Sequence, residues 1–170
     1  TFYQPQGYLI SVACAEMMAH YGIPHCGTSG SGVGWGSGLV AAGHQWMNHI
    51  LASVTAMELV PFVGDILGSK AFSPRVLVYA DDVIREARRL AAGFVIDDVS
   101  IGLDDIAEIG PGGTFLESER TLELFREAYR QSEVLPLMTM EAWQERGAPQ
   151  AEDILSRYTS QLVAGLEPPD

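Results

Sequence analysis

The sequence predicts an α/β fold, rich in helix and with few short parallel strands, and three observations predict it. Two brief apolar runs, Ile23 to Gly27 and Leu59 to Val63, have strand character. Long amphipathic segments flank both runs, and glycine-bearing loops follow their carboxyl ends. Strands that alternate with helices pair in parallel through crossovers, although two strands fall far short of a closed barrel.

Each element has a local reason. Gln6 to Tyr21 places Leu9, Val12, Ala13, Met17 and His20 at helical spacing, and Gly22 is a natural stop. Ile23 to Gly27 then delivers His25, Cys26 and Thr28 to a strand end just ahead of a glycine run. A helix over Leu39 to Met57 carries an apolar stripe of Leu39, Gly43, Trp46, Met47, Ile50, Val54 and Met57. Its other face, His44, Gln45, Asn48, His49 and Ser53, is polar without charge, which predicts packing on both sides. Leu59 to Val63 forms the second strand, closed by Gly64 and Asp65.

Ser73-Pro74 caps and opens the next helix, whose apolar face is Val76, Leu77, Ala80, Val83, Ile84, Ala87 and Leu90, with Asp81 and Arg85 paired four apart and Gly93 as terminator. Ile96 to Gly113 reads as a short acidic helix stopped by Gly110 and Pro111, and Asp98 fits an N-cap. A helix follows at Ser118 to Arg130 with Leu122, Phe125 and Ala128 inward. Thr139, Met140 and Glu141 begin another, and Ala148 to Leu166 is the last before a proline-rich exit.

Composition bounds the function. With 170 residues, 47% of them hydrophobic, the chain has room for one domain and a core. A net charge of -12 argues against a sequence-independent grip on nucleic acid or an anionic membrane. The most apolar run, Ile50 to Val63, is broken by Glu58 and Pro61 and is shorter than the roughly 20 residues a span needs. Two cysteines, Cys14 and Cys26, leave at most one bridge and point to a reducing, cytoplasmic setting. Residues 1–69 carry only Glu16, Glu58 and Asp65 as formal charges, while all 10 basic residues and the other acids lie beyond them. An uncharged first third is expected to be covered by further chain or by another subunit, so the chain reads as a fragment or a homo-oligomer.

The candidate chemistry lies at the strand ends. Gly27 to Gly38 holds six glycines in twelve residues, which lets a bulky ligand approach bare backbone. The run lacks the Lys-Ser/Thr ending of a P-loop, and no GxGxxG follows the strand with a ribose-binding acid about 20 residues on. Asp65, a lone carboxylate after an apolar strand, occupies the position where α/β folds keep their chemistry. His25 and Cys26 are adjacent and point to opposite faces, and His44 and His49 lie about 140° apart round a helix, so no metal site is expected. The doublets Asp97-Asp98 and Asp104-Asp105 read as caps and solvated faces, and Ser29, Ser31 and Ser37 lack the acid and histidine of a hydrolase. The residues alone name no catalytic group.

The order of motifs nevertheless resembles a known family. GTSGSG after a strand, a long helix, the Gly64-Asp65 loop, the Ser73-Pro74 helix, Ile96-Asp97-Asp98, the stretch GLDDIAEIGPGGTFLESERTLELFREAY and MEAWQERG are similar to the carboxyl-terminal part of the trimethylamine methyltransferase family, from about Gly27 to Gly147. The resemblance implies the carboxyl-terminal portion of a (β/α)8 TIM barrel. It implies one partial domain over residues 1–170, with barrel βα units in 1–95 and carboxyl-terminal helices in 96–170. It further implies methyl transfer from a methylated or quaternary amine to the cobalt of a separate corrinoid protein, so that the corrinoid is carried by the partner and not by this chain.

On this reading His25, Thr28, Ser29, Trp35 and Asp65 contribute to the amine site. A quaternary nitrogen has no proton to donate, so aromatic faces and diffuse negative charge recognise it. No pyrrolysine stands in the chain, which places it in the branch without that residue and favours a quaternary amine. Thr114 stands where the family's GPGGHFL-like motif has His. The competing expectation is a non-catalytic partner-binding module or inactive member that docks through its acidic carboxyl half, and the chain alone is expected to lack activity.

Overall fold

A computed structural model of the chain describes residues 3–27, 32, 34–57, 59–129 and 131–167. In chain order its elements are α1 (Pro5–Tyr21), α2 (Leu39–Val54), β1 (Asp65–Ile66), β2 (Ala71–Phe72), α3 (Pro74–Ala92), α4 (Asp98–Ile101), α5 (Leu103–Ile109), a 3-10 turn (Phe115–Glu117), α6 (Glu119–Ala128), α7 (Met140–Glu145) and α8 (Ala151–Ala164). They fall into two compact units, residues 1–92 with 138–170, and residues 93–137. Helices α7 and α8 belong to the first unit, and α4, α5 and α6 to the second.

Helix ends sit where local chemistry predicts them. Gly22 ends α1 in the left-handed region at φ 66°, where its N–H closes on the Ala19 and Met18 carbonyls. The Ser73 hydroxyl accepts the Val76 N–H at 3.3 Å, and the Thr139 hydroxyl accepts the Ala142 N–H at 3.3 Å. On α3, Arg85 donates to Asp81 at 2.9 Å, an exposed pair of small energetic weight.

Helix faces depart from the sequence reading. On α1 the buried residues are Tyr8 and Ala15, whereas Leu9 and Met17 of the expected stripe are exposed. The helix is apolar nearly all round, so periodicity gives it no preferred side. On α2 the polar face is packed as expected, whereas the apolar stripe is largely exposed. The helix's buried residues are Ala41, Gln45, Asn48 and His49, while Leu39 is 87% and Val54 54% exposed. The uncharged polar face is the inward one, and it packs most extensively with α3, whose buried residues Val76, Ala80, Val83 and Ala87 recur at helical spacing. Small residues on both helices permit close approach, and the Trp46 indole N–H donates to the Tyr79 hydroxyl at 2.9 Å between the two helices.

Inside this layer His49 Nε2 lies 3.0 Å from Gln45 Oε1. With the amide so oriented, the neutral imidazole donates from Nε2. Burial, and secondarily the Arg88 guanidinium, push the His49 pKa down to about 4.

The expected parallel strands at 23–27 and 59–63 do not form among the described residues. In their place is one parallel bridge, Cys26 opposite Leu59, in which the Gly27 N–H donates to the Leu59 carbonyl at 2.9 Å. A single parallel contact between two short segments has no neighbouring ladder to extend it. The regular sheet among the described residues is the antiparallel hairpin β1-β2, with Asp65 opposite Phe72 and Ile66 opposite Ala71. Gly64 enters it at φ 92°, and a Cβ there would stand 2.6 Å from the Phe72 ring and 3.2 Å from Leu77 Cβ.

In the second unit the expected acidic helix is two helices, α4 and α5, separated by Gly102 at φ 68°. Asp97, rather than Asp98, is the N-cap. Its carboxylate accepts the Ser100 N–H at 2.6 Å and the Ser100 hydroxyl accepts the Asp97 N–H at 2.8 Å, and these bonds hold the Asp97 carboxyl below its usual pKa. Asp105 faces Arg120 at 3.8 Å, so the second doublet also has a structural use. Thr114 caps the 3-10 turn by accepting the Leu116 N–H at 3.3 Å, and Ser118 caps α6. Leu122 and Phe125, expected inward, are 58% and 45% exposed.

Two outcomes follow from these packings. Gly64→Ala combines a left-handed backbone with overlap on Phe72 and is expected to lower the unfolding free energy by about 2 kcal/mol, read by urea denaturation. Because the His49 pKa is lower folded than unfolded, its neutral form supports the fold fully above pH 6.5, and that support is lost as pH falls from 6.5 toward about 4. Unfolding free energies from urea denaturation between pH 7.5 and 4.5 are expected to lose up to about 3 kcal/mol from this group. In His49→Gln that part of the slope is expected to be absent.

Candidate functional site

Where the two bridged segments end, the first unit has a cavity of about 520 Å³, a size that admits small ligands. His25, Cys26 and Gly27 come to it from the end of the first segment, and Pro61 and Phe62 from the end of the second. The turn before β2 adds Gly68 and Ser69, α1 adds Ile10, Ser11 and Cys14, α2 adds Asn48, and Tyr3 completes the wall. Ligands of α/β folds sit at such carboxyl ends.

Backbone strain gathers here. Phe62 at φ 62° and Ser69 at φ 62° both hold left-handed conformations, which side-chain-bearing residues adopt at a cost of order 1–3 kcal/mol. Gly27 has no room for a side chain, since a Cβ would overlap Met57 Sδ and Cγ. Met57 is itself buried, so the first segment's end is pressed onto the chain leaving α2.

The wall is aromatic and, among the described residues, contains no Lys, Arg, Asp or Glu. Tyr3 stacks on His44 with ring centroids 5.2 Å apart and planes 21° apart, and Phe62, 61% exposed, is the second aromatic ring on the wall. Such faces attract an organic cation through the ring quadrupole. Asn48 is 0% exposed, and neither its Nδ2 nor its Oδ1 has a hydrogen-bond partner among the described residues.

The sequence-derived candidates distribute unevenly around this cavity. His25 lines it and is half-buried. Trp35 is 85% exposed, at φ 81°, and is not part of the wall. Asp65 lies on β1 and is not part of the wall either; its carbonyl accepts the Gly32 N–H at 3.0 Å, while the Gly32 carbonyl accepts the Gly68 N–H at 2.8 Å. These bonds stitch the glycine run to the turn that carries Ser69. At its far end the run is held by Arg75, which donates to the Ser37 hydroxyl and, at 3.1 Å, to the Ser156 hydroxyl on α8. Thr28 and Ser29 lie outside the described residues.

Sequence reasoning missed Tyr3, Phe62 and Asn48. An uncharged polar face on α2 was the one signal for Asn48; nothing local marks Tyr3 or Phe62, which reach the cavity only through tertiary packing.

A second cavity, of about 530 Å³, lies where α2 and α3 end and the Leu59 segment begins, and His49, Ser53 and Arg88 are among its lining residues. Leu59, Val60 and Val63 of that segment line it, whereas Pro61 and Phe62 line the first cavity, and its Arg88 guanidinium disfavours a cationic ligand. No described helix is long and apolar enough to cross a membrane.

Comparison with known proteins bears on the whole chain. No curated protein matches it. The family described as Trimethylamine methyltransferase (MTTB) matches over residues 1–170, well beyond the stretch from Gly27 to Gly147 whose motifs suggested it. An uncharged aromatic cavity at the ends of parallel-bridged segments is chemically suited to a methylated amine. The chain therefore belongs to the trimethylamine methyltransferase family, a family of methyltransferases.

Proposed function

We propose that the chain works within a corrinoid-dependent methyltransferase that moves a methyl group from a quaternary amine to the cobalt of a separate corrinoid protein. It would do so as the carboxyl-terminal portion of a (β/α)8 barrel in a reducing, cytoplasmic setting, where Cys14 and Cys26 stay free thiols. The observation that carries the reading is the cavity wall of Tyr3, Phe62 and His25 without a Lys or Arg among its described residues.

The chemistry asks little acid-base help from this wall. When a quaternary ammonium gives up a methyl, the C–N bond breaks and its electron pair stays on nitrogen, so the product leaves as a neutral tertiary amine and needs no proton. The corrinoid, held by its own protein, supplies the nucleophile. The residues of this chain bind the cation on aromatic faces, strip its water and fix the direction of the scissile bond. His25 on the wall, together with Thr28, Ser29 and Asp65, is assigned to substrate binding, and Trp35 offers an exposed aromatic face to an arriving substrate or carrier. Exposed apolar residues on α1, among them Leu9 and Met17, support self-association.

Calorimetric titration with tetramethylammonium tests the reading. Saturable binding is expected, and Phe62→Leu, which keeps an apolar side chain but loses the ring, is expected to weaken it about tenfold. Equal affinity in Phe62→Leu, or no heat from the folded protein, contradicts the proposal.

A further inference from the structure

Asn48 poses a problem that the amine site does not by itself solve. Its carboxamide is fully enclosed, faces a cavity large enough for a ligand, and has neither donor nor acceptor satisfied among the described residues. Buried polar groups are nearly always hydrogen-bonded, and an unanswered pair on one side chain is costly. Its neighbours on the same face show the ordinary solution, since Gln45 and His49 answer one another at 3.0 Å. Asn48, one turn from Gln45, has the cavity instead.

We infer that Asn48 is the polar anchor of the substrate and selects a quaternary amine bearing a neutral hydroxyl over one bearing a carboxylate. The inference rests on the amine reading above and names the substrate class of the same cavity. A carboxamide offers two N–H donors and one carbonyl acceptor. A hydroxyl answers both kinds of group, accepting from Nδ2–H while donating to Oδ1. A carboxylate only accepts, so it leaves Oδ1 opposed by a negative oxygen, and no described Lys or Arg on the wall compensates its charge. The aromatic faces of Tyr3 and Phe62 take the ammonium end, and Asn48 takes the oxygen.

Titration of the protein with 2-hydroxyethyltrimethylammonium, tetramethylammonium and trimethylammonioacetate separates the possibilities. The hydroxyl compound is expected to bind about tenfold tighter than tetramethylammonium, and this ratio is expected to fall to about one in Asn48→Leu. Because Asn48→Leu removes two unanswered polar groups and keeps a similar shape, its melting temperature is expected to rise by about 3 °C. Asn48→Ala reads the same ratio should the larger side chain disturb the fold. If the hydroxyl and methyl compounds bind alike in the parent, or if the carboxylate compound binds most tightly, Asn48 is not the anchor, while the amine reading stands. If none of the three binds the folded protein, the amine reading itself falls and takes this inference with it.

Discussion

The inward polar face of α2 is the constraint on which the first unit depends. A helix that buries Gln45, Asn48 and His49 while leaving Leu39 and Val54 exposed cannot be held in place by apolar burial alone. Each enclosed polar group must be answered where it lies. Gln45 and His49 do this for each other, while burial and the Arg88 guanidinium favour the neutral imidazole and so tie the packing of α2 and α3 to pH. The small residues of α3 that face this layer, Ala80 and Ala87 among them, let two helix backbones approach around polar side chains without leaving them in an apolar void.

Asn48 extends the same constraint to the site. The surrounding chain is shaped less by regular sheet than by a few anchored backbone contacts. These are the single Cys26 to Leu59 bridge, the Gly27 backbone pressed on Met57, and Gly32 held between the Asp65 carbonyl and the Gly68 N–H. The strained residues Phe62 and Ser69 stand on either side of this stitching, so the aromatic wall and the glycine run share one scaffold. A neutral, partly strained and water-accessible cavity of this kind suits a cation whose reaction releases a neutral amine.

Much of the helical order was legible in the sequence because caps and stops are local. Ser73-Pro74, Ser118, Thr139, Gly22 and Gly110 act within a few residues of themselves, and the structure uses each as a helix boundary. Which face turns inward was not legible. The uniform hydrophobicity of α1 hides its packing side, α2 reverses the usual rule, and Leu122 and Phe125 on α6 stay exposed within their own unit. Strand character at 23–27 and 59–63 came through only as one bridge, because pairing needs partners that the pattern of a single segment does not reveal. At the site, His25 was readable from its place before the glycine run, whereas Tyr3 and Phe62 meet there only after the chain has folded.

The central claim is that the cavity between Tyr3, Phe62 and Asn48 receives a quaternary cation, and its position can be seen directly. A crystal of the protein soaked with tetramethylarsonium, an isostere of tetramethylammonium, locates the cation by the anomalous scattering of arsenic. The account predicts one strong anomalous peak within the aromatic wall, over the faces of Tyr3 and Phe62. A peak only in the cavity beside His49 and Arg88, or none at saturating concentration, would contradict it.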